Sequence, residues 1–207
     1  MDLSLPKLQS RLDDVVRWLE AREPRVHTLW FGTFDELWCD AQFRWVASSD
    51  CADEAHAFVC LWRHYLEQVE EFEVDASCLT FFFRSLTANS GYGSEAVFAL
   101  CSAEEWHKET SLVTRGIVNA IKEVRSGKRL VGGQRVQISD RPYDVRDPGT
   151  YWGVFKDGQR VPEEAEYQRF VPGEWVEAIA IRYEWNYQEL FARTTEAYVL
   201  FTWSTGA

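Results

Sequence analysis

Two runs near the C-terminus, WVEAIAIRYEW (175–185) and AYVLFTW (197–203), decide the architecture. Branched and aromatic side chains crowd both, and such residues fit the pleated, half-buried surface of a sheet. The stretch between them, Asn186 to Phe191, reads as one helical turn. Upstream, Asp157-Gly158 marks a tight hairpin turn between strands at Tyr151–Phe155 and Gln159–Val161, because this dipeptide tolerates the positive φ angles that such turns demand. Arg135 to Ser139 alternates in the manner of another strand. The chain beyond Gly132-Gly133 is therefore strand-rich, from about 134 to 205.

Before residue 126 the period changes from two to between three and four. Ser102 with Glu105 three residues on is a capping box, and Trp106, Val113, Ile117, Ala120, Ile121 and Val124 form the buried stripe of the helix it opens. Ser126-Gly127 closes that helix. A second helix starts at Asp50–Asp53 and runs to about Glu70, with Ala55, Phe58, Val59, Trp62, Leu66 and Val69 on one face. A third covers 5–22 through Leu5, Leu8, Leu12, Val15, Val16 and Leu19. Strands are expected at Val26–Phe31, Phe43–Ala47 and Cys78–Phe83, and a short helix at Ala96–Leu100 capped by Ser94. The mixture predicts an α+β protein with a predominantly antiparallel sheet packed against three main helices, forming a single domain over 1–207.

The 207 residues include 33 acids against 22 Lys and Arg, a net charge of -11. Between 115 and 135 the balance reverses, with Arg115, Lys122, Arg125, Lys128, Arg129 and Arg135 against Glu123 alone. The last turns of a helix favour positive charge, which accounts for this stretch without a ligand. Elsewhere the acidic excess repels polyanions, and no zinc-finger, helix-turn-helix or RNA-binding pattern accompanies the basic stretch, so direct nucleic-acid binding is not expected. No run reaches the 18 or more apolar residues of a membrane helix, and MDLSLPKLQSRLDD lacks the apolar core of a secretory signal. Five cysteines, an odd number without any Cys-x-x-Cys pair, suit thiols in a reducing compartment. These features point to a cytoplasmic protein.

Several groupings imitate chemistry. Asp53-Glu54-Ala55-His56 has the letters of a helicase motif, but no phosphate-binding glycine loop accompanies it. His56, Cys60 and His64 share a helix face outside the apolar stripe, yet they span about 12 Å of a straight helix, too far for one metal ion; no metal or cofactor is expected. Glu104 and His107 stand three apart on one helix face and form a possible acid/base pair, with Glu95 and Arg84 as companions in a dispersed site. No matched nucleophile follows from the sequence. The loop Asn89 to Glu95 lacks the spacing of a dinucleotide fingerprint.

Ten tryptophans are too many to fill the deepest core alone. Trp38, Trp152 and Trp175, with Tyr151, Tyr167 and Tyr183, lie beside acids, glycines or turns. Together with Glu163, Glu164 and Glu166 they compose a surface of rigid rings ringed by carboxylates, suited to a basic partner. The sequence thus leads to a non-catalytic acidic protein-binding module, of the inhibitor or immunity-type neutraliser class, that engages a basic protein. The alternative is a small hydrolase or transferase using His107, Glu104, Glu95 and Arg84. A homodimer formed through strand 197–203 as a sheet edge is a further possibility.

Overall fold

The computed structural model describes Ser10, Asp14 and residues 23–33, 39–70, 99–128, 153–163 and 166–206. Eight strands form one antiparallel sheet: β1 (His27–Thr33), β2 (Cys39–Ala47), β3 (Ala99–Cys101), β4 (Gly153–Lys156), β5 (Gln159–Val161), β6 (Trp175–Tyr183), β7 (Tyr187–Thr194) and β8 (Ala197–Thr205). Their spatial order is β3-β6-β7-β8-β2-β1-β4-β5. Two long helices are present among the described residues, α1 (Glu54–Glu70) and α2 (Ala103–Arg125). Of the predicted helix over 5–22 only Ser10 and Asp14 are described, both helical. The expected strands at 78–83 and 135–139 lie outside the described residues.

The helices cover opposite faces of the sheet. Along β8, Tyr198 and Leu200 pack with Phe58, Leu61 and Trp62 of α1, whereas Val199 and Phe201 join Trp106, Ile117 and Ile121 of α2. Burial on both sides explains why AYVLF reads as an unbroken apolar run instead of an alternation. Helix α2 packs on β1, β2, β4 and β6. Its 23 residues give about 34 Å of length, enough to cross that whole span.

Local chemistry fixes the ends of these elements. Ser102 Oγ accepts the Glu105 N–H at 3.1 Å, and the Glu105 carboxylate accepts the Ser102 N–H at 3.2 Å. At the other end Gly127 takes φ 71°, and the Lys128 N–H reaches the Glu123 carbonyl at 3.0 Å, a closure that a β-carbon would disfavour. Asp157 and Gly158 turn the β4–β5 hairpin with φ 47° and 76°. We expect Ser102→Ala to lower Tm by about 2–4 °C and Ser102→Thr to recover most of it, checked by thermal unfolding.

Three expectations need correction. Asn186–Phe191 is not a helical turn: Tyr187–Thr194 is strand β7, paired with β6 and β8. Its alternation is hidden in the sequence because Gln188 and Glu189 are polar yet buried. Ala99–Cys101 is a strand paired with Ala178–Ala180, not the end of a helix over 96–100. Strand 197–205 is interior, flanked by β7 and β2, so it offers no edge for a homodimer; among the described residues the sheet ends at β3 and β5. The His56–Cys60–His64 face of α1 packs inward beside the main stripe: every residue from Ala55 to Trp62 is buried and His64 is half-buried. His56 Nδ1 there accepts the Ala52 N–H at 3.1 Å.

Candidate recognition surface

The residues expected to bind do not gather as one surface among those described. Trp175 is half-buried, edge-on to Tyr167 at 6.0 Å. Tyr167 is not a surface ring: it is fully buried and stacks on Phe43 at 4.4 Å. Glu163 turns inward to Arg125 at 2.7 Å and Arg160 at 3.4 Å. One member of the basic stretch is thereby paired within the chain. Glu166 is exposed and bridges Arg169 at 3.0 Å. Trp38, Tyr151, Trp152 and Glu164 lie outside the described residues.

His107 is committed elsewhere than to Glu104. Its Nδ1 lies 2.9 Å from the Tyr167 hydroxyl, which lies 2.7 Å from Thr110 Oγ1, and Thr110 donates to the Trp106 carbonyl at 2.7 Å. Gln168 Nε2 lies 3.1 Å from His107 Nε2. One assignment satisfies every atom: Nδ1–H donates to the tyrosine, the tyrosine to the threonine, and the glutamine amide to Nε2. The imidazole is thus hydrogen-bonded at both nitrogens within the chain. Glu104 is exposed, with no hydrogen bond to His107 among the described residues; Glu95 and Arg84 lie outside them.

Among the expected rings Tyr183 reaches solvent, beside Trp185, which was not among them. Trp185 occupies the tip of the β6–β7 hairpin, closed by the Glu184 N–H on the Tyr187 carbonyl at 2.7 Å, and is 75% exposed. The tight connection leaves the indole largely in solvent. Tyr183, 55% exposed, ends β6 and meets Trp106 edge-on at 5.8 Å. Trp106 belongs to the first turn of α2, which also carries the exposed Glu104 and Glu105. Glu184 separates the two rings in sequence. The helix N-terminus contributes about half a positive charge, against two carboxylates on that turn, so the field stays negative. Leu100, 76% exposed, lies on β3 at the same end of the sheet order as β6. Tyr183 was among the rings expected at the surface, whereas Trp185 read as the end of a strand, because nothing in the sequence distinguished a hairpin tip from a strand end.

Among the described residues no group of three or more His, Cys, Asp or Glu side chains is arranged to hold a metal ion, and no described helix is long and apolar enough to cross a membrane. Comparison with protein-family models, curated proteins and solved structures finds no match for this chain.

Proposed function

We propose that this chain is a non-catalytic acidic recognition protein, of the inhibitor or neutraliser type, whose partner is a basic protein. The observation that carries the reading is the exposed indole of Trp185, with Tyr183 beside it and Glu104, Glu105 and Glu184 on the adjoining elements. Rigid aromatic rings supply contact area at little entropic cost, and surrounding carboxylates steer a positively charged surface into register. The chain's net charge of -11 extends that steering. Trp38, Tyr151 and Trp152 are further candidate rings of the same kind, and Glu164 and Glu166 further acids.

The test is affinity capture from an extract of the source cells at low salt, run in parallel with Trp185→Ala and with Glu104→Gln/Glu105→Gln/Glu184→Gln. A basic protein retained by the unaltered chain, released by about 0.5 M salt and lost from the tryptophan variant is the expected result. Equal retention by all three chains would remove this surface from consideration.

A further inference from the structure

The face of the sheet under α1 changes character partway along its strands. Near Val46, Leu200 and Phe191 it is apolar. One register step further, a polar row crosses five neighbouring strands. Trp30 pairs with Gln42, Gln42 with Thr202, Thr202 with Glu189, and Glu189 with Arg182. Arg44, two residues along β2, is 1% exposed, and Glu189 is fully buried. The C-terminal half of α1 borders the row through Tyr65, Gln68 and His64.

Most of the charge here is already matched. Arg44 donates to Thr202 Oγ1 at 3.1 Å, to Gln68 Oε1 at 2.9 Å and to Gln42 Oε1, with its guanidinium 4.7 Å above the Tyr65 ring. Arg182 lies 3.5 Å from Glu189 Oε1, and the Tyr187 hydroxyl donates to the same oxygen. Tyr65 and Tyr187 hydroxyls are 3.4 Å apart, linking the two halves. What remains is a set of buried polar atoms with no hydrogen bond among the described residues: Arg44 Nε, Arg182 Nε, Glu189 Oε2 and His64 Nδ1. Leaving one such atom dry costs about 1–3 kcal/mol, and three of them, on Arg44, Arg182 and Glu189, belong to one connected network, an arrangement that folding alone does not reward. Two are arginine N–H donors. Burial pushes the Glu189 carboxyl up to about 7, against the pull of Arg182 and Tyr187, so near neutrality Oε2 can carry a proton and act as a third donor.

We propose that this polar floor is a binding site for a small oxyanion, the carboxylate or phosphate group of a metabolite, held by Arg44, Arg182 and Glu189. The half-buried Asp40 and Gln42 and the exposed Gln68 form its rim. An anion accepted from a protonated Glu189 binds together with a proton, so affinity falls as pH rises through the titration of that carboxyl. Asp40, Arg44, His64, Tyr65, Arg182 and Tyr187 are the neighbouring titratable groups that set the background charge. The proposal is independent of the recognition surface.

The experiment is titration calorimetry of the full chain with sodium sulfate and, separately, sodium acetate. Both ions keep a constant charge between pH 6 and 8, and they distinguish a tetrahedral from a planar oxyanion. Saturable one-site binding of at least one of them is expected, weaker by tenfold or more in Arg182→Gln and weaker at pH 8 than at pH 6. Glu189→Gln reduces the pH dependence to the smaller change set by Asp40, which burial raises to about 6. Arg182 is part-exposed, which makes its variant the safer one to fold; Arg44→Gln serves as a second where circular dichroism shows native structure. Absence of saturable binding of both ions, or binding unaltered by Arg182→Gln, would reduce the network to a packing device and overturn the proposal.

Discussion

Phe43→Ala is expected to lose about 3–5 kcal/mol of unfolding free energy, the range for deleting a large buried aromatic side chain. Phe43 is fully buried on β2, near the middle of the sheet. It stacks on Tyr167 at 4.4 Å, tilts against Phe201 at 4.8 Å and meets Phe31 edge-on at 6.2 Å. Removing the ring breaks three aromatic contacts and opens a cavity beneath α2, where Tyr167 also anchors Thr110 and His107. A domain of this kind has about 5–15 kcal/mol in total, so the variant should stand near the edge of folding. Trp185→Ala, by contrast, deletes a solvent-exposed ring and should shift stability by no more than about 0.5 kcal/mol. Urea unfolding of both variants decides the matter: similar small losses would mean that the Phe43 cluster is not the core of the α2 face.

The second large effect is on pH dependence. Glu189 titrates at about 7 instead of 4.5, because burial disfavours its charged form more than Arg182 and Tyr187 favour it. The folded state thus holds a proton that the unfolded chain releases, so stability declines as pH rises from about 4.5 to 7. At about 1.4 kcal/mol per pH unit the total is on the order of 3 kcal/mol. Burial also moves Asp40 from 3.8 up to about 6, a loss of the same sign at lower pH. His64 acts in the opposite sense: burial, aided by Arg44, lowers it from 6.5 to about 4. Its contribution is present above 6.5 and disappears as pH falls through 4. Glu189 therefore dominates this network between 6.5 and 7. Unfolding free energies at pH 5, 6, 7 and 8 should fall more steeply with pH in the unaltered chain than in Glu189→Gln. Parallel curves would mean that the buried carboxyl does not titrate in this range.

Much of the framework was legible because its signals are local. The Ser102–Glu105 box needs four consecutive residues, and Asp157-Gly158 announces its turn by backbone preference alone. The long apolar runs of β6 and β8 identify themselves. Strand β7 did not, since Tyr187, Gln188 and Glu189 are polar, and the contacts that hold Tyr187 and Glu189 inside, to Tyr65 and Arg182, come from other elements. Strand β3 has three residues and exists only through its pairing with Ala178–Ala180. The aromatic positions divided along the same line. Tyr167 follows acids in sequence and looks exposed, but Phe43 and Thr110, distant in the chain, draw it under α2. Trp185 closes an apolar run and looks structural, but a tight turn strands it in solvent. The polar floor joins Arg44 to Glu189 across 145 positions; its one local trace is a charged residue set inside each of two apolar strands, FRWVA and YQELF.

Partner recognition through Trp185 is tested most directly by the dissociation constant of the captured basic protein for the unaltered chain and for Trp185→Ala, each at 50 and 500 mM salt. An aromatic anchor at an interface centre contributes about 2 kcal/mol or more, so the variant should bind at least about 30-fold more weakly, and the unaltered complex should weaken as salt rises. Identical constants for the two chains at both salt concentrations would contradict it.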